Sequence, residues 1–509
     1  MTDAFDTVVV GAGSAGAVIA ARATEDGARR VCLLDAGPDY GAGPLPEELR
    51  DGTRNALRDH DWGLWHRPAA SAARMRFPRG RVVGGSSAVN TCIALRGQPE
   101  DYDEWGLAEW RWEHCLPAFR RLERDLDFPD APHHGAGGPL PLRRHPPGEL
   151  TCWQAAFLEA CVELGFPACP DSNAPGALGA GPHAMNKTPE GRRISAAEVY
   201  LDAAVGRRPG FTLRPDTRGR RLRFEGRRVV GVEVEDRRGV RVIRARRVVL
   251  SAGAIGTPGV LLRSGVGPAK ELLRLGVDRV ANVPAVGRQL RDHPGVAVCF
   301  VPKAGVSAVS DPIIQTVLRW RSRAGGFPAD LQLQAGSFFP LPGCPVPLTT
   351  LMFQVGKPRS VGRLYVADAD PHTKPRIESR FFTDADDVRV ADEALELLWL
   401  LGSARPLREL ADFAVPGEGA LSRRSSARQL LRTQVGSGYH PCGTVPMGDA
   451  ARIARGEAAC DAQGRVHGTE GLVVADASLF PTIPSANTNL PTLMLGERVG
   501  AWLRDGAYD

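Results

Sequence analysis

The chain has 509 residues, of which 43% are hydrophobic and 24% charged, and a formal net charge of +6. These are ordinary globular values, and at ~150 residues per domain the length suggests about three domains, or one large domain carrying an insertion. No run of about 18 apolar residues occurs, which argues against a helical membrane span, and so small a charge argues against a nucleic-acid surface.

In chain order, "MTDAFDTVVV" enters a strand almost at once and leaves no room for a cleavable signal, so a cytoplasmic protein is expected. Val8, Val9 and Val10 form an apolar run that stops at Gly11, as a buried parallel strand does. Gly11, Gly13 and Gly16 then fit GxGxxG: a tight turn, a bare backbone beside a pyrophosphate, and close packing of the helix that follows. Val31–Leu34 reads as a second strand ending at Asp35, an acid placed to accept hydrogen bonds from ribose hydroxyls. NAD and FAD share this fingerprint, so the turn itself leaves the cofactor open.

A Pro/Gly-rich stretch through about Arg76 gives no clear element, and "RGRVVGGSSAVN" (Arg79–Asn90) keeps its backbone bare. "CLPAFRRLERDL" (Cys115–Leu126) and "TCWQAAFLEACVELGF" (Thr151–Phe166) have helical spacing. His133 and His134 sit in a glycine-rich loop; as neighbours they are expected to point apart and to lack a third ligand, so no metal site is expected. The ten cysteines are scattered without a CxxC pair and read as reduced thiols. Arg218–Arg247 alternates basic and apolar residues around glycines, which predicts strands with solvated arginine faces.

"RRVVLSAGAIGTPGVLLRSGVG" (Arg246–Gly267) reads as a strand, a small-residue turn and a helix with Pro258 in its first turn. From Gly295 to Leu431 the patterns are short and β-like ("ADLQLQAGSFF", "LTTLMFQV", "GRLYVA") before a helical "DADDVRVADEALELLWLLG". This region is the expected substrate domain, with Gln332 and Gln334 on one strand face and Phe327, Phe338, Phe339 and Phe353 as core or pocket aromatics. "EGLVVADASLFP" is a late strand ending at Asp476.

Taken together, "VVVGAGSAG", "GRVVGGSSAVN", "GAIGTPGVLLRSGVG", "VGRQLRDHP", "HPCGT" and "DASLFPTIPSANTNLPT" resemble, in order and over nearly the whole chain, the glucose-methanol-choline (GMC) flavin oxidoreductases. The resemblance implies an α/β fold: a discontinuous Rossmann-like FAD-binding domain (1–150, 189–294, 432–509) with an inserted α+β substrate domain (151–188, 295–431) built on an antiparallel sheet. It implies FAD contacts from Gly11, Gly13, Ser14, Ala15, Gly16, Asp35 and Ala36, from Arg81, Val83, Gly84, Gly85, Ser86, Asn90, Thr91, Cys92 and Ile93, and from Asp476, Ala477, Asn489, Pro491 and Thr492. Asp35 stands where the family usually has glutamate. Relatives that attach FAD covalently carry histidine where this chain has Val89, so non-covalent FAD is expected.

His440 falls on the family's catalytic histidine, the general base that takes the hydroxyl proton as hydride leaves for flavin N5. Asn487 matches the second active-site position, where an amide steadies the developing alkoxide. The implied activity is oxidation of a primary or secondary alcohol of neutral or weakly polar character, with electrons passing to O2 or another acceptor. The alternatives are a hydroxynitrile lyase-like or photodecarboxylase-like member of the same fold, or a flavin-binding protein without turnover.

Overall fold

The structure is a computed structural model describing residues 4–41, 43–339 and 347–509. The valine run becomes the strand Ala4–Val10, which pairs in parallel with Val31–Leu34 on one side and with Gly239–Leu250 on the other. Phe211–Arg214 and Leu472–Val474 extend the parallel layer at its two edges. Both faces of the centre of this layer are covered, so Val8–Val10, Val31–Leu34, Val248–Leu250 and Leu472–Val474 are continuously apolar and buried.

The first helix, Ser14–Ala23, packs against the last, Asn489–Arg504, and glycines on the last helix allow the approach. A Cβ at Gly496 would stand 2.9 Å from the Val18 Cβ, and one at Gly500 2.7 Å from the Arg22 Cβ. The two ends of the described chain thus build one side of the nucleotide fold.

Arg218–Glu225, Arg228–Asp236 and the first half of Gly239–Leu250 form an antiparallel meander on the same sheet. Its arginines pair across strands with acids, Arg220 with Glu235 at 2.7 Å and Arg221 with Glu233 at 3.1 Å, as a solvated charged face does.

A second sheet is wholly antiparallel, in the order 411–415, 294–302, 348–355, 331–339, 316–320 and 179–182, with 436–437 pairing beside 294–302. One face packs on the helices Cys152–Glu163 and Ala385–Ser403 through Leu331, Leu333, Ala335, Leu351 and Phe353. The alternation then turns Gln332, Gln334, Met352 and Gln354 to the other face, with Gln332 directly opposite Gln354 and Gln334 opposite Met352. The molecule is therefore a Rossmann-like α/β body joined to an α+β body on an antiparallel sheet.

Three local expectations are corrected. The helix expected over Cys115–Leu126 runs from Trp112 to Leu122, and Glu123–Asp125 is a strand; Glu123 and Asp125 are buried while Arg124 is exposed, a period of two imposed by their ion partners. Pro258 lies in the second turn of the helix Gly253–Arg263, not the first. Its missing N–H leaves the Ala254 carbonyl without a helical donor, and Thr444 Oγ1 donates to that carbonyl at 2.6 Å instead. The strand in "GRLYVA", Arg363–Tyr365, joins a separate small sheet with Arg376–Glu378, Trp65–Arg67 and Met75–Arg76, and its Leu364 belongs to the core of the α/β body. The Pro/Gly-rich stretch up to Arg76 thus carries two short strands that pair with each other, and the first of them, Trp65–Arg67, also pairs with Arg376–Glu378 some 300 residues downstream.

Candidate active site

The glycines act first. Gly11 has φ +103°, and a Cβ there would lie 2.4 Å from the Ser251 carbonyl oxygen; a Cβ at Gly16 would lie 1.9 Å from that of Gly11. No side chain fits either position. Gly85, at φ +53°, abuts Gly13: a Cβ on Gly85 would stand 2.7 Å from the Gly13 Cα, so two bare loops lie back to back. The helix Ser14–Ala23 begins beside them with no side-chain cap, leaving its N–H groups free for an anion.

These loops border a cavity of about 890 Å³ that runs between the two bodies. At one end stand Asp35, Ala36 and Arg81, with the Arg81 guanidinium 5.6 Å from the Trp62 ring centroid. Asp35 Oδ2 accepts the Ala12 N–H at 2.9 Å and Oδ1 accepts the Gly37 N–H at 2.8 Å, which fixes the carboxylate while leaving it further lone pairs. Burial pushes its pKa up to about 7, against the pull of those two N–H groups. Ser14 Oγ donates to Asn489 Oδ1 at 2.8 Å, tying the first turn to the last helix.

Among the expected cofactor contacts, Gly11, Gly13, Ser14, Ala15, Asp35, Ala36, Arg81, Gly85, Ser86, Asn90, Thr91, Ile93, Asp476, Ala477, Asn489 and Thr492 line this cavity, as does Val89. Gly16, Val83, Gly84, Cys92 and Pro491 lie outside its wall. Gly84 donates its N–H to the Ala12 carbonyl, and Val83 packs into the α/β core, so both support the loop from behind. Asp476 spends its carboxylate on Gly253 N–H (2.9 Å), Thr257 Oγ1 (2.6 Å) and Ser478 N–H (2.7 Å), anchoring the start of the helix Gly253–Arg263.

One support was not legible beforehand. Arg193 is buried and donates to the carbonyls of Asn90, Ala88, Glu48, Leu49, Asp51 and Arg54, stapling the bare loop to the 48–54 segment. Its targets are main-chain oxygens, which leave no mark on composition.

His440 and Asn487 meet on the wall of the same cavity. Asn487 Nδ2 lies 2.9 Å from His440 Nε2, and both residues line the cavity with Gln334, Met352, Gln354, Phe339 and Ile314. Gln332 and the aromatics Phe327, Phe338 and Phe353 are not on its wall. The Asn487 Oδ1 is buried without a protein partner. The turn that presents the imidazole is strained: Tyr439 has φ +63°, with its carbonyl held by Arg79 Nη2 at 2.6 Å and its N–H by Ser437 Oγ at 2.7 Å.

A second histidine, His293, places its Nδ1 2.9 Å from that of His440, and its own Nε2 lies 3.0 Å from the carbonyl oxygens of both Gly356 and Pro484. Asp292 Oδ1 accepts the backbone N–H groups of His293 and His440, each at 2.8 Å. Desolvation first, then His293 and Arg79, hold the His440 pKa well below 6.5, so the ring is neutral. Desolvation likewise brings His293 down to about 4.

The other histidine pair is a correction. His133 and His134 do not point apart: His133 Nε2 and His134 Nε2 lie 3.1 and 2.9 Å from the same Asp171 Oδ2, so a third potential ligand is present. Yet His134 Nδ1 also faces Glu123 at 2.8 Å and Asp125 at 3.2 Å, so both its nitrogens must carry hydrogens. Arg96 on Glu123 (2.6 Å) and Arg144 on Asp171 (2.6 Å) complete an ion network that already supplies these acids with cations.

The GMC oxidoreductase family models match residues 5–295 and 358–496. The chain is 37% identical to 5-(hydroxymethyl)furfural oxidase of Methylovorus sp. (strain MP688), over 98% of each chain. It is 33% identical to choline oxidase of Arthrobacter globiformis, over 98% of this chain and 94% of that one. Its fold is similar to the crystal structure of pyridoxine 4-oxidase from Mesorbium loti, with a TM-score of 0.88, 28% identity, and coverage of 97% of this chain and 98% of that one. A bare-backbone nucleotide cradle, a neutral buried histidine beside an amide, and family models spanning both bodies lead to one conclusion: the chain belongs to the GMC oxidoreductase family and is an FAD-dependent enzyme acting on CH–OH donors.

Proposed function

We propose that this chain oxidises a primary or secondary alcohol to its carbonyl with His440 as general base and Asn487 as the donor that holds the substrate oxygen. The observation that carries the reading is the 2.9 Å contact between Asn487 Nδ2 and His440 Nε2 on the wall of the cavity that Asp35 also lines. FAD, when bound, supplies the acceptor for the hydride that leaves the carbinol carbon. His440 Nε2 takes the hydroxyl proton, and burial keeps that nitrogen deprotonated at neutral pH. The Asn487 amide donates to the oxygen as its negative charge develops.

In the same reading Gly11, Gly13 and the free N–H groups of Ser14 and Ala15 would hold the FAD pyrophosphate, and Asp35 would accept from the ribose hydroxyls. Gly85, Ser86, Asn90, Ala477 and Asn489 would contact the remainder, Gly84 and Val83 support that loop from behind, Gly16, Cys92 and Pro491 lie outside the wall, and Val89 would leave the flavin unattached. We assign cofactor binding to 1–150, 189–294 and 432–509, and the substrate to the inserted sheet. The wall beside His440 carries the uncharged side chains of Gln334, Gln354, Met352 and Ile314, which favours a neutral or weakly polar alcohol.

O2 is the proposed electron acceptor, supported by the oxidase names of the furfural, choline and pyridoxine relatives. The described cysteines are free thiols, which suits a reducing compartment, and we place the enzyme in the cytoplasm. No described helix is long and apolar enough to cross a membrane.

The test is an anaerobic panel of alcohols followed by air. A primary or secondary alcohol should bleach the yellow enzyme and air should restore the colour. If no alcohol bleaches it, the oxidation reading fails; if a dye but not air restores the colour, O2 fails as the acceptor.

A further inference from the structure

His293 is one of 11 histidines and carries no local signature of function. Its surroundings fix which of its nitrogens bears hydrogen. Nε2 lies 3.0 Å from the carbonyl oxygens of Gly356 and Pro484, and carbonyls only accept, so Nε2 carries the hydrogen and Nδ1 of the neutral ring is a lone pair. That lone pair lies 2.9 Å from His440 Nδ1. Two lone pairs cannot share that contact, so His440 Nδ1 is the donor. In the neutral His440 ring the remaining nitrogen, Nε2, is then the lone pair, and it is the one that Asn487 Nδ2 reaches.

We propose that His293 is a positioning residue that sets the tautomer of His440, so that the basic lone pair faces the cavity. The two carbonyls come from different bodies: Gly356 follows the substrate-sheet strand Leu348–Val355, and Pro484 precedes Asn487 in the FAD-side loop. The relay therefore aims the base only when the two bodies are docked against each other. When His440 takes a proton at Nε2 it becomes an imidazolium, and its Nδ1–H stays donated to His293, which spreads the buried charge without moving a second proton. If His293 were instead to lose its Nε2 anchors and donate from Nδ1, His440 would hold its hydrogen at Nε2 and have no base facing the substrate.

This inference rests on His440 being the base, and the experiment separates the two. His293→Leu removes the acceptor, whereas His293→Asn restores an oxygen near the place of Nδ1. Loss of a partner that holds a catalytic imidazole in its working tautomer costs as much as about 10⁴ in rate, and a drop of roughly 10- to 10³-fold in flavin reduction is expected for His293→Leu. His293→Asn should recover at least half of that loss on a logarithmic scale. Nitrogen-15 NMR of histidine-labelled holoenzyme, with the His440 signals identified by their absence from His440→Ala, should show a protonated Nδ1 and an unprotonated Nε2 in the wild type. The same spectrum of His293→Leu should show both tautomers.

An Nε2-protonated His440 in the wild-type spectrum would overturn the proposal without any variant having to fold. So would equal slowing in His293→Leu and His293→Asn, or a wild-type rate in His293→Leu while His440→Ala is slow. A wild-type rate in His440→Ala would instead overturn the assignment of the base.

Discussion

Two histidine pairs, both with at least one ring deep in the protein, end in opposite charge states. His134 is enclosed by Glu123, Asp125 and Asp171, and against the cost of burial Asp171 and Glu123 hold its pKa up at about 9. His440 has a second neutral imidazole and two main-chain N–H acceptor contacts of Asp292 near it but no carboxylate on its ring, and burial wins, holding it well below 6.5. Burial alone therefore decides nothing about a histidine. What decides is whether acceptors carrying full negative charge face its nitrogens, because only those repay the desolvation of an imidazolium.

The largest expected effect breaks the neutral pair. His440→Ala should slow anaerobic flavin reduction by saturating alcohol by about 10²–10⁴-fold, with FAD content unchanged, the usual contribution of a placed base. Stopped-flow bleaching of the yellow flavin measures it directly. Because the His440 pKa is depressed, the wild-type rate should hold steady as pH falls through 6.5 and drop only well below it.

Asn487→Ala is the next step down, at about 10–10³-fold for the loss of one donor to the developing alkoxide. Both side chains serve one oxygen, so the double variant should lose less than the product of the two single losses. Full multiplicativity would place Asn487 and His440 in separate roles.

The smallest effect sharpens the charged pair. The folded-state pKa of His134, about 9, exceeds the 6.5 of a free histidine, so its stabilising contribution is complete below 6.5 and is lost as pH rises through 9. That contribution is on the order of 3 kcal/mol. Thermal unfolding of the wild type should show stability falling over this window, and His134→Gln should flatten the slope without changing the pH dependence of flavin reduction. An unchanged slope in His134→Gln would show that the network gains nothing from the imidazolium.

How much of this was legible differs from residue to residue. Gly11, Gly13 and Gly16 could be read directly, since their requirement is steric and acts within a few residues. His440 and Asn487 were legible through the motifs "HPCGT" and "PSANTN", which identify positions without showing that the two side chains touch. His293 lies within "VGRQLRDHP", but that motif shows no role for it, because the carbonyls that set its tautomer lie 63 and 191 residues away. His133 and His134 were misjudged for a similar reason: adjacent side chains in an extended chain diverge, but this loop turns both rings onto one carboxylate 38 and 37 residues downstream.

What the sequence by itself determined is therefore what local geometry and periodicity carry: a strand–turn–helix that admits only glycine at Gly11 and Gly16, apolar runs that must be buried on both faces, and an antiparallel sheet with one apolar face. Tertiary structure alone decided which strand of "GRLYVA" joins which sheet, which carbonyls Arg193 gathers, and which histidines are charged. The physical reason is range. Steric and hydrogen-bonding demands of the backbone are met within a few residues, whereas desolvation and the field at a buried nitrogen are sums over groups that only folding brings within about 4–6 Å.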